Sequence, residues 1–293
     1  MKCLTIFTPA YNRAYTLHKC YESLKSQTSQ EFKWLIIDDG STDNTRDLVH
    51  EWIEEGILDI NYHYQENQGM HGAHNAAYEL IDTELNVCID SDDYMPNDAV
   101  EKILNYWEKN KCDELAGIIG LDAFQNEEII GTRLPENIKS ETLFNLYHKY
   151  KVKGDKKIVY RTDLSREYPY PLFEGERYVG LAYKYYKIDQ THKLGLLNEV
   201  LCIVEYMEDG SSKNMLHQYR KNPKGFRFYR IENLKNPKGS MIYKYKECIH
   251  YVSSCLLDKE YNFFKNNPQK LLTFFSIPLG CLLYSYIVKN TQQ

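Results

Sequence analysis

Asp90-Ser91-Asp92-Asp93 sets three carboxylates in four residues, directly after the apolar run Val87-Cys88-Ile89. In extended backbone Asp90 and Asp92 project to one side. Two hard oxygen donors placed that way can share a divalent cation, and without a counter-ion the cluster repels itself. Taken alone, an Asp-x-Asp also suits a helix start or a solvated turn. Its meaning therefore rests on the elements that position it.

Val87, Cys88 and Ile89 show no alternation, as expected of a strand buried on both faces inside a parallel sheet. From Lys2 to about Leu121 strand-like and helix-like segments alternate, which predicts a parallel α/β sheet. Strands are expected at Cys3 to Thr8, Phe32 to Ile37, Ile60 to Tyr64, Leu85 to Asp90 and Leu115 to Leu121. The intervening helices carry apolar stripes such as Leu17, Cys20, Tyr21 and Leu24, or Val100, Ile103, Leu104 and Trp107, at helical spacing. Asp43 or Asn44 is placed to cap the second helix, and Pro96-Asn97-Asp98 to start the fourth. Ligands of open α/β sheets bind beyond the carboxyl ends of the strands. Three of those ends carry Thr8-Pro9-Ala10-Tyr11-Asn12-Arg13, Asp38-Asp39-Gly40-Ser41 and Asp90-Ser91-Asp92-Asp93, so the three groups are expected to converge on one rim.

Composition narrows the classes. The 293 residues are 43% hydrophobic and 26% charged, enough for one large domain with an appendage. A net charge of -5 argues against a general nucleic-acid binder. Eight cysteines without a C-x-x-C pair point to reduced thiols in a cytosolic compartment, with neither a zinc site nor a disulfide framework. The run Leu4-Thr5-Ile6-Phe7 is too short for a signal-peptide core, so the chain is expected to begin with its first strand. Neither G-x-G-x-x-G nor G-x-x-x-x-G-K-[ST] is present, which disfavours a nicotinamide-dinucleotide fold and a P-loop.

Thr8-Pro9-Ala10-Tyr11-Asn12-Arg13, Ile37-Asp38-Asp39-Gly40-Ser41-Thr42-Asp43, Asn67-Gln68-Gly69 with Ala73-His74-Asn75, and Asp90-Ser91-Asp92-Asp93 resemble, in order, the successive signatures of family 2 glycosyltransferases. The resemblance covers roughly the first 125 residues, and four linked motifs are far more specific than one. It implies a GT-A (nucleotide-diphospho-sugar transferase) fold: α/β, with a central, mostly parallel sheet, here followed by a C-terminal helical extension. It also implies a nucleotide-sugar donor, a Mn²⁺ or Mg²⁺ ion and, usually, inversion at the anomeric carbon.

On that resemblance Tyr11 stacks on the base over a floor shaped by Thr8 and Pro9. Arg13 takes a phosphate-side or base-side role, and Asp39 reads the base edge, which favours UDP as the carrier. Asp92 is the first metal ligand, with Asp90 and Ser91 on the ribose or metal side; Asp93 is expected to point away and help cap the next helix. His71 and His74 stand where many relatives place Lys or Arg for phosphate, and surface packing is the competing expectation for both. His192 and His217 are candidates for an additional metal or phosphate contact, with a surface histidine as the competing expectation for each. The base that deprotonates the acceptor hydroxyl lies, in the family, in an acidic signature before a helix. Phe173-Glu174-Gly175-Glu176-Arg177 is the match here, with Glu176 expected as base and Glu174 as substitute. Arg177 stands where relatives often carry the catalytic aspartate.

Residues 122 to 170 read as a less regular acceptor-side insertion, and strands at Lys193 to Leu197 and Leu201 to Tyr206 as the close of a catalytic domain spanning 1–207. Glu208-Asp209-Gly210-Ser211 then turns into a helical extension, 208–293, whose front half is basic and whose run Leu272 to Val288 is uncharged but broken by Pro278 and Gly280. That run suits an interfacial membrane helix beside a basic surface, or a homo-oligomer core. The resulting expectation is an inverting, metal-dependent glycosyltransferase, cytoplasmic or peripheral on the inner face of the cell membrane. It would transfer a sugar from a UDP-sugar to a saccharide or lipid-linked saccharide acceptor in cell-surface polysaccharide synthesis. A catalytically inactive nucleotide-sugar-binding module and a sugar-1-phosphate nucleotidyltransferase are the rivals; the second needs a Gly-rich, Arg-containing loop that Tyr11-Asn12-Arg13 does not supply.

Overall fold

The computed structural model describes residues 2–205 and 214–291. The expected turn at Glu208-Asp209-Gly210-Ser211 lies outside the described residues. The chain forms two compact units, one of Met1–Pro169 with Lys187–Tyr206, the other of Tyr170–Tyr186 with Met207–Gln293. The division thus falls near the expected position 207, but residues 170–186, including Glu174 and Glu176, belong with the second unit.

The first unit is built on an eight-stranded sheet in the order β3-β2-β1-β4-β7-β5-β8-β6. Its strands are β1 (Leu4–Ala10), β2 (Phe32–Asp38), β3 (Ile60–Tyr64), β4 (Leu85–Cys88), β5 (Leu115–Ala123), β6 (Ser140–Glu141), β7 (Lys156–Arg161) and β8 (Lys193–Ile203). The first four are mutually parallel, with Leu4 opposite Phe32 and Leu85, and Trp34 opposite Ile60. Helices α1 (Leu17–Lys25), α2 (Thr45–Glu55), α3 (Met70–Leu80) and α4 (Ala99–Asn110) connect them. The residues of β1 alternate between two layers. Leu4, Ile6 and Ala10 join the cluster of Leu17, Cys20, Leu24 and Trp34, while the Phe7 ring meets those of His74 and Tyr78 edge-on. Burying this many large side chains, at about 1.5–3 kcal/mol each, offsets the entropy of ordering the chain.

Two expectations change here. The stretch 122–170 is not simply an irregular insertion, because it supplies β7, which pairs antiparallel with both β4 and β5 in the middle of the sheet. Short helices α5 (Leu143–His148) and α6 (Thr162–Glu167) flank it. The two strands expected between Lys193 and Tyr206 are a single strand, β8, whose pairing with β5 shifts register along its length.

The second unit is helical. Helix α7 (Ala182–Ile188) begins in it, and α8 (Met215–Lys221), α9 (Pro223–Lys235), α10 (Met241–Leu257) and α11 (Lys270–Asn290) follow. Helices α10 and α11 approach closely at Gly280, where a Cβ would come within 2.5 Å of Val252. Arg230 and Glu247, both nearly buried, form an ion pair at 3.1 Å, and Asn233 donates to the same carboxylate at 2.9 Å. On α11, Leu271, Phe274, Phe275, Leu279, Leu282 and Tyr286 are exposed.

Candidate functional site

Because β1 to β4 run parallel, their carboxyl ends share one edge of the sheet. The loops leaving that edge are tied together by specific hydrogen bonds. Asn12, at φ 54°, donates its amide to Ser41 Oγ at 2.9 Å and accepts the Thr42 amide on Oδ1 at 2.8 Å. Asn is among the few side chains that tolerate a left-handed backbone. Asp43 accepts the Ala14 amide at 3.2 Å and, on its other oxygen, the Thr45 amide at 3.0 Å. The N-cap of α2 is Asn44, whose side chain makes no capping bond; Asp43, one residue earlier, takes the first amide of the helix and also clamps the loop after β1.

Asp38 and Asp39 are buried, and both organise the rim. Asp38 accepts the Ser41 amide at 2.8 Å and the Tyr62 hydroxyl at 2.5 Å. Asp39 accepts from Gln65 Nε2 at 2.7 Å and from the amides of Gln68 and Gly69, both at 2.8 Å. Those last two amides lead into α3, so Asp39 fixes the third motif against the second. Gly40 (φ 86°) allows the turn after Asp39, where a Cβ would meet the Asn67 amide nitrogen at 2.9 Å.

The side chains expected to hold a nucleotide fall into two groups. Tyr11 is 50% exposed, and Arg13 lies 5.7 Å from the Tyr15 ring centroid and hydrogen-bonds its hydroxyl. Pro9 is half-buried. Thr8, by contrast, is fully buried and accepts from Trp34 Nε1 at 3.0 Å, so its hydroxyl serves the core beneath the rim. His71 and His74 are each 1% exposed. His74 contacts the Tyr78 hydroxyl at 3.1 Å and Cys88 Sγ at 3.7 Å, which makes it a packing residue.

Asp90 to Asp93 form a turn closed by the Asp93 amide on the Asp90 carbonyl at 3.0 Å. The strand ends at Cys88, earlier than expected, so the one-sided projection expected of extended backbone does not apply here. Asp90 and Asp92 are half-buried and Ser91 is buried. Asp93 is buried and turns inward, 3.9 Å from Lys157 Nζ, accepting the Glu205 amide at 3.2 Å. That amide lies beyond β8, so Asp93 anchors the turn to the sheet and does not cap α4, the role expected of it.

Lys157, which sequence reasoning did not single out, stands beneath this turn. It lies on β7, donates to the Cys88 carbonyl at 3.3 Å and shares its surroundings with Asp90, Asp93 and Asp122. Burial opposes its charge, but Cys202, Asp122, Asp93 and Asp90 outweigh that and hold the ammonium well above the ordinary lysine value. Burial raises Asp93 to about 7, with Lys157 opposing and Asp90 and Asp92 adding. Asp122, 3% exposed, is raised by burial to about 6. One nearly buried cation thus underlies an edge of carboxylates.

Among the described residues no three His, Cys, Asp or Glu side chains converge to enclose a metal. Asp90 and Asp92 instead offer two hard oxygens at a half-open edge. That donor set fits a Mg²⁺ or Mn²⁺ ion which takes most of its shell from phosphate and water.

In the second unit Glu176 is 7% exposed, and its oxygens accept the Lys224 amide at 2.9 Å and the Gly225 amide at 2.8 Å. It holds the first turn of α9, a site that suits a carboxylate. Burial raises its pKa, with those two amides opposing. The expectation of Glu176 as a free base therefore meets a different geometry, whereas Glu174 is exposed. Arg177 donates its amide to Asn222 Oδ1 at 2.7 Å.

Residues 5–168 match the profile described as Glycosyl transferase family 2, more than half of the chain. The chain belongs to glycosyl transferase family 2. A family relative, a putative teichuronic acid biosynthesis glycosyltransferase, TuaG, of Bacillus subtilis, is 31% identical over 111 residues, covering 37% of this chain and 43% of that protein. Matches to the curated relatives span only 11% to 44% of their lengths. TarS of S. aureus in complex with UDP-GlcNAc is similar with a TM-score of 0.63 at 16% identity, over 98% of this chain and 83% of that one. The mannosyltransferase PcManGT of Pyrobaculum calidifontis, in complex with GDP-Man and Mn²⁺, gives a TM-score of 0.58 at 15% identity, over 99% and 76%. These likenesses establish the GT-A fold for this family 2 chain.

Proposed function

We propose that this glycosyltransferase is inverting and metal-dependent, and that it moves one sugar from a UDP-sugar to a saccharide acceptor in cell-surface polysaccharide synthesis. The observation that carries the reading is the interlocking of the loops after β1, β2 and β3 through Asn12, Asp39 and Asp43, beside the acidic turn after β4. Tyr11 offers an exposed ring for the base, and Arg13 a cation nearby. Asp39 holds the loop that frames the base.

Asp92 and Asp90 would hold the metal. When bound, such an ion supplies Lewis-acid stabilisation of the departing diphosphate. Lys157 places a positive charge beneath that turn, 3.9 Å from Asp93 and hydrogen-bonded to the Cys88 carbonyl. Inverting transfer is a single in-line displacement, in which the acceptor hydroxyl must give up a proton. In this reading Glu174 takes that proton, because both oxygens of Glu176 are engaged by backbone amides. The exposed face of α11 rests on the cytoplasmic surface of the membrane and holds the enzyme near a lipid-linked acceptor.

A second reading, an inactive nucleotide-sugar-binding module, is favoured by one feature, Arg177 in place of the family's frequent aspartate. Release of UDP from a panel of UDP-sugars, with Mn²⁺ and with EDTA, separates the two. Metal-stimulated release that falls in Asp92→Ala and Glu174→Gln supports the enzyme; binding of UDP without release by any donor supports the module.

A further inference from the structure

The second unit holds a cleft of about 510 Å³, within the ~300–1,000 Å³ typical of small-molecule sites. Lys224, Arg227, Phe228 and Ile231 line it from one face of α9, at i, i+3, i+4 and i+7; Phe173 and Tyr251 add further walls. The loop 260–266 closes it, with Asn262, Lys265 and Asn266 facing in, and Glu232, Lys235 and Glu260 complete a lining of four cations and two carboxylates.

Contacts within the unit hold these walls. Arg227 lies 2.9 Å from Asp258 and 3.8 Å from Glu260, which ties the loop to α9. Asn267, 3% exposed, donates to Thr273 Oγ1 at 2.8 Å and accepts the Gln269 amide at 2.8 Å. The rings of Phe173 and Phe228 stand 6.2 Å apart. Arg227 and Lys235 are occupied by carboxylates, Lys235 by Glu232 at 2.5 Å. Lys224 and Lys265 make no ion pair among the described residues. Between Met207 and Gln293 fourteen Lys and Arg face six Asp and Glu, so the unit's field favours an anion.

We propose that this cleft is an acceptor subsite for an anionic saccharide. Aromatic faces meet the C–H face of a sugar ring, Asn262 and Asn266 meet hydroxyls, and Lys224 and Lys265 meet a carboxylate or phosphate. Phe173 lines the cleft, and Glu174 follows it directly in the chain. Glu176, two residues further, holds the Lys224 amide, so the acidic segment and the start of α9 are one rigid piece. The inference rests on the saccharide-acceptor reading above.

The test is isothermal titration of the full chain, without donor or metal. Three probes are compared: a tetrasaccharide alternating glucuronate and N-acetylglucosamine, a glycerol phosphate tetramer, and neutral chitotetraose. At least one anionic probe should bind tenfold or more tightly than chitotetraose, and which one does so tells uronate from phosphate. The double variant Lys224→Gln/Lys265→Gln should lose that preference while keeping its thermal midpoint and its UDP affinity. Lys265→Glu alone, a change on an exposed loop, should lose at least threefold. Equal affinity for neutral and anionic probes, no binding of any probe, or a preference that survives the double variant overturns the subsite. Normal UDP binding in the presence of Mn²⁺ alongside such a result sinks the subsite alone; absent UDP binding under those conditions sinks the UDP-sugar reading on which it rests.

Discussion

Lys157→Met removes one charge and keeps most of the side chain's length, which makes it the sharpest probe of the site's floor. The ammonium lies 3.9 Å from Asp93 and shares its surroundings with Asp122 and Asp90. A pair at that distance is worth about 4 kcal/mol at the effective dielectric suited to proteins. Removing one partner of such a pair costs a similar ~3–5 kcal/mol, because the carboxyl left behind must either stay charged away from water or take up a proton. The assay is run at pH 8, above the Asp93 value of about 7. All three tryptophans, Trp34, Trp52 and Trp107, lie in the first unit, so their fluorescence in urea follows this unit alone. With a slope of about 2 kcal/mol per molar urea, the midpoint should fall by about 2 M. Adding Asp122→Asn should return roughly 1–3 kcal/mol, since it removes a carboxylate that the missing cation had balanced. A Lys157→Met midpoint within ~0.3 M of the parent, or an Asp122→Asn effect that simply adds, would refute this account of the floor.

Further outcomes follow from the same structure. Glu176→Ala should weaken α9 by about 1–2 kcal/mol, seen as faster hydrogen exchange at the Lys224 and Gly225 amides; unchanged protection there would contradict its holding role. Asp92→Ala should lower metal-stimulated UDP release by ~100-fold or more, while far-UV circular dichroism stays the same. His250 is lowered to about 4, chiefly by burial and also by Arg230. Below pH 6.5 the unfolded chain binds a proton that the folded one refuses, so stability falls with falling pH, by about 2 kcal/mol at pH 5. Exchange in α10, corrected for intrinsic rate, should therefore speed up at pH 5, and His250→Gln should remove that dependence. Phe274→Ser/Phe275→Ser should cut sedimentation with anionic vesicles on the order of 100-fold; undiminished sedimentation would take α11 off the membrane.

The strands β1, β2 and β4 were legible because parallel buried strands read as near-continuous apolar runs, as at Trp34 to Ile37 and Val87 to Ile89. The rim was legible for the same reason, since parallel strands end at one edge. Lys157 was not. Lys156-Lys157 lies inside the stretch 122–170 that reads as irregular, and only the antiparallel entry of β7 between β4 and β5 brings it into the sheet. Glu176 shows the same limit. Its type and neighbours suggest a base, but its partners, the Lys224 and Gly225 amides, lie more than forty residues away and leave no local signal. Asp39 reads correctly as a rim residue, yet its bonds to Gln65, Gln68 and Gly69 depend on the turn at Gly40. For α11, length and apolarity were plain, while the exposed row from Leu271 to Tyr286 emerges only once α10 covers the other face.

The most direct test of the central claim is a crystal of the protein grown with UDP and Mn²⁺, measured at the manganese absorption edge. An anomalous peak within coordination distance of Asp92, with the diphosphate beside it and the uracil against Tyr11, is the predicted result. UDP bound away from Tyr11 and Asp39, or manganese distant from both Asp90 and Asp92, would contradict it.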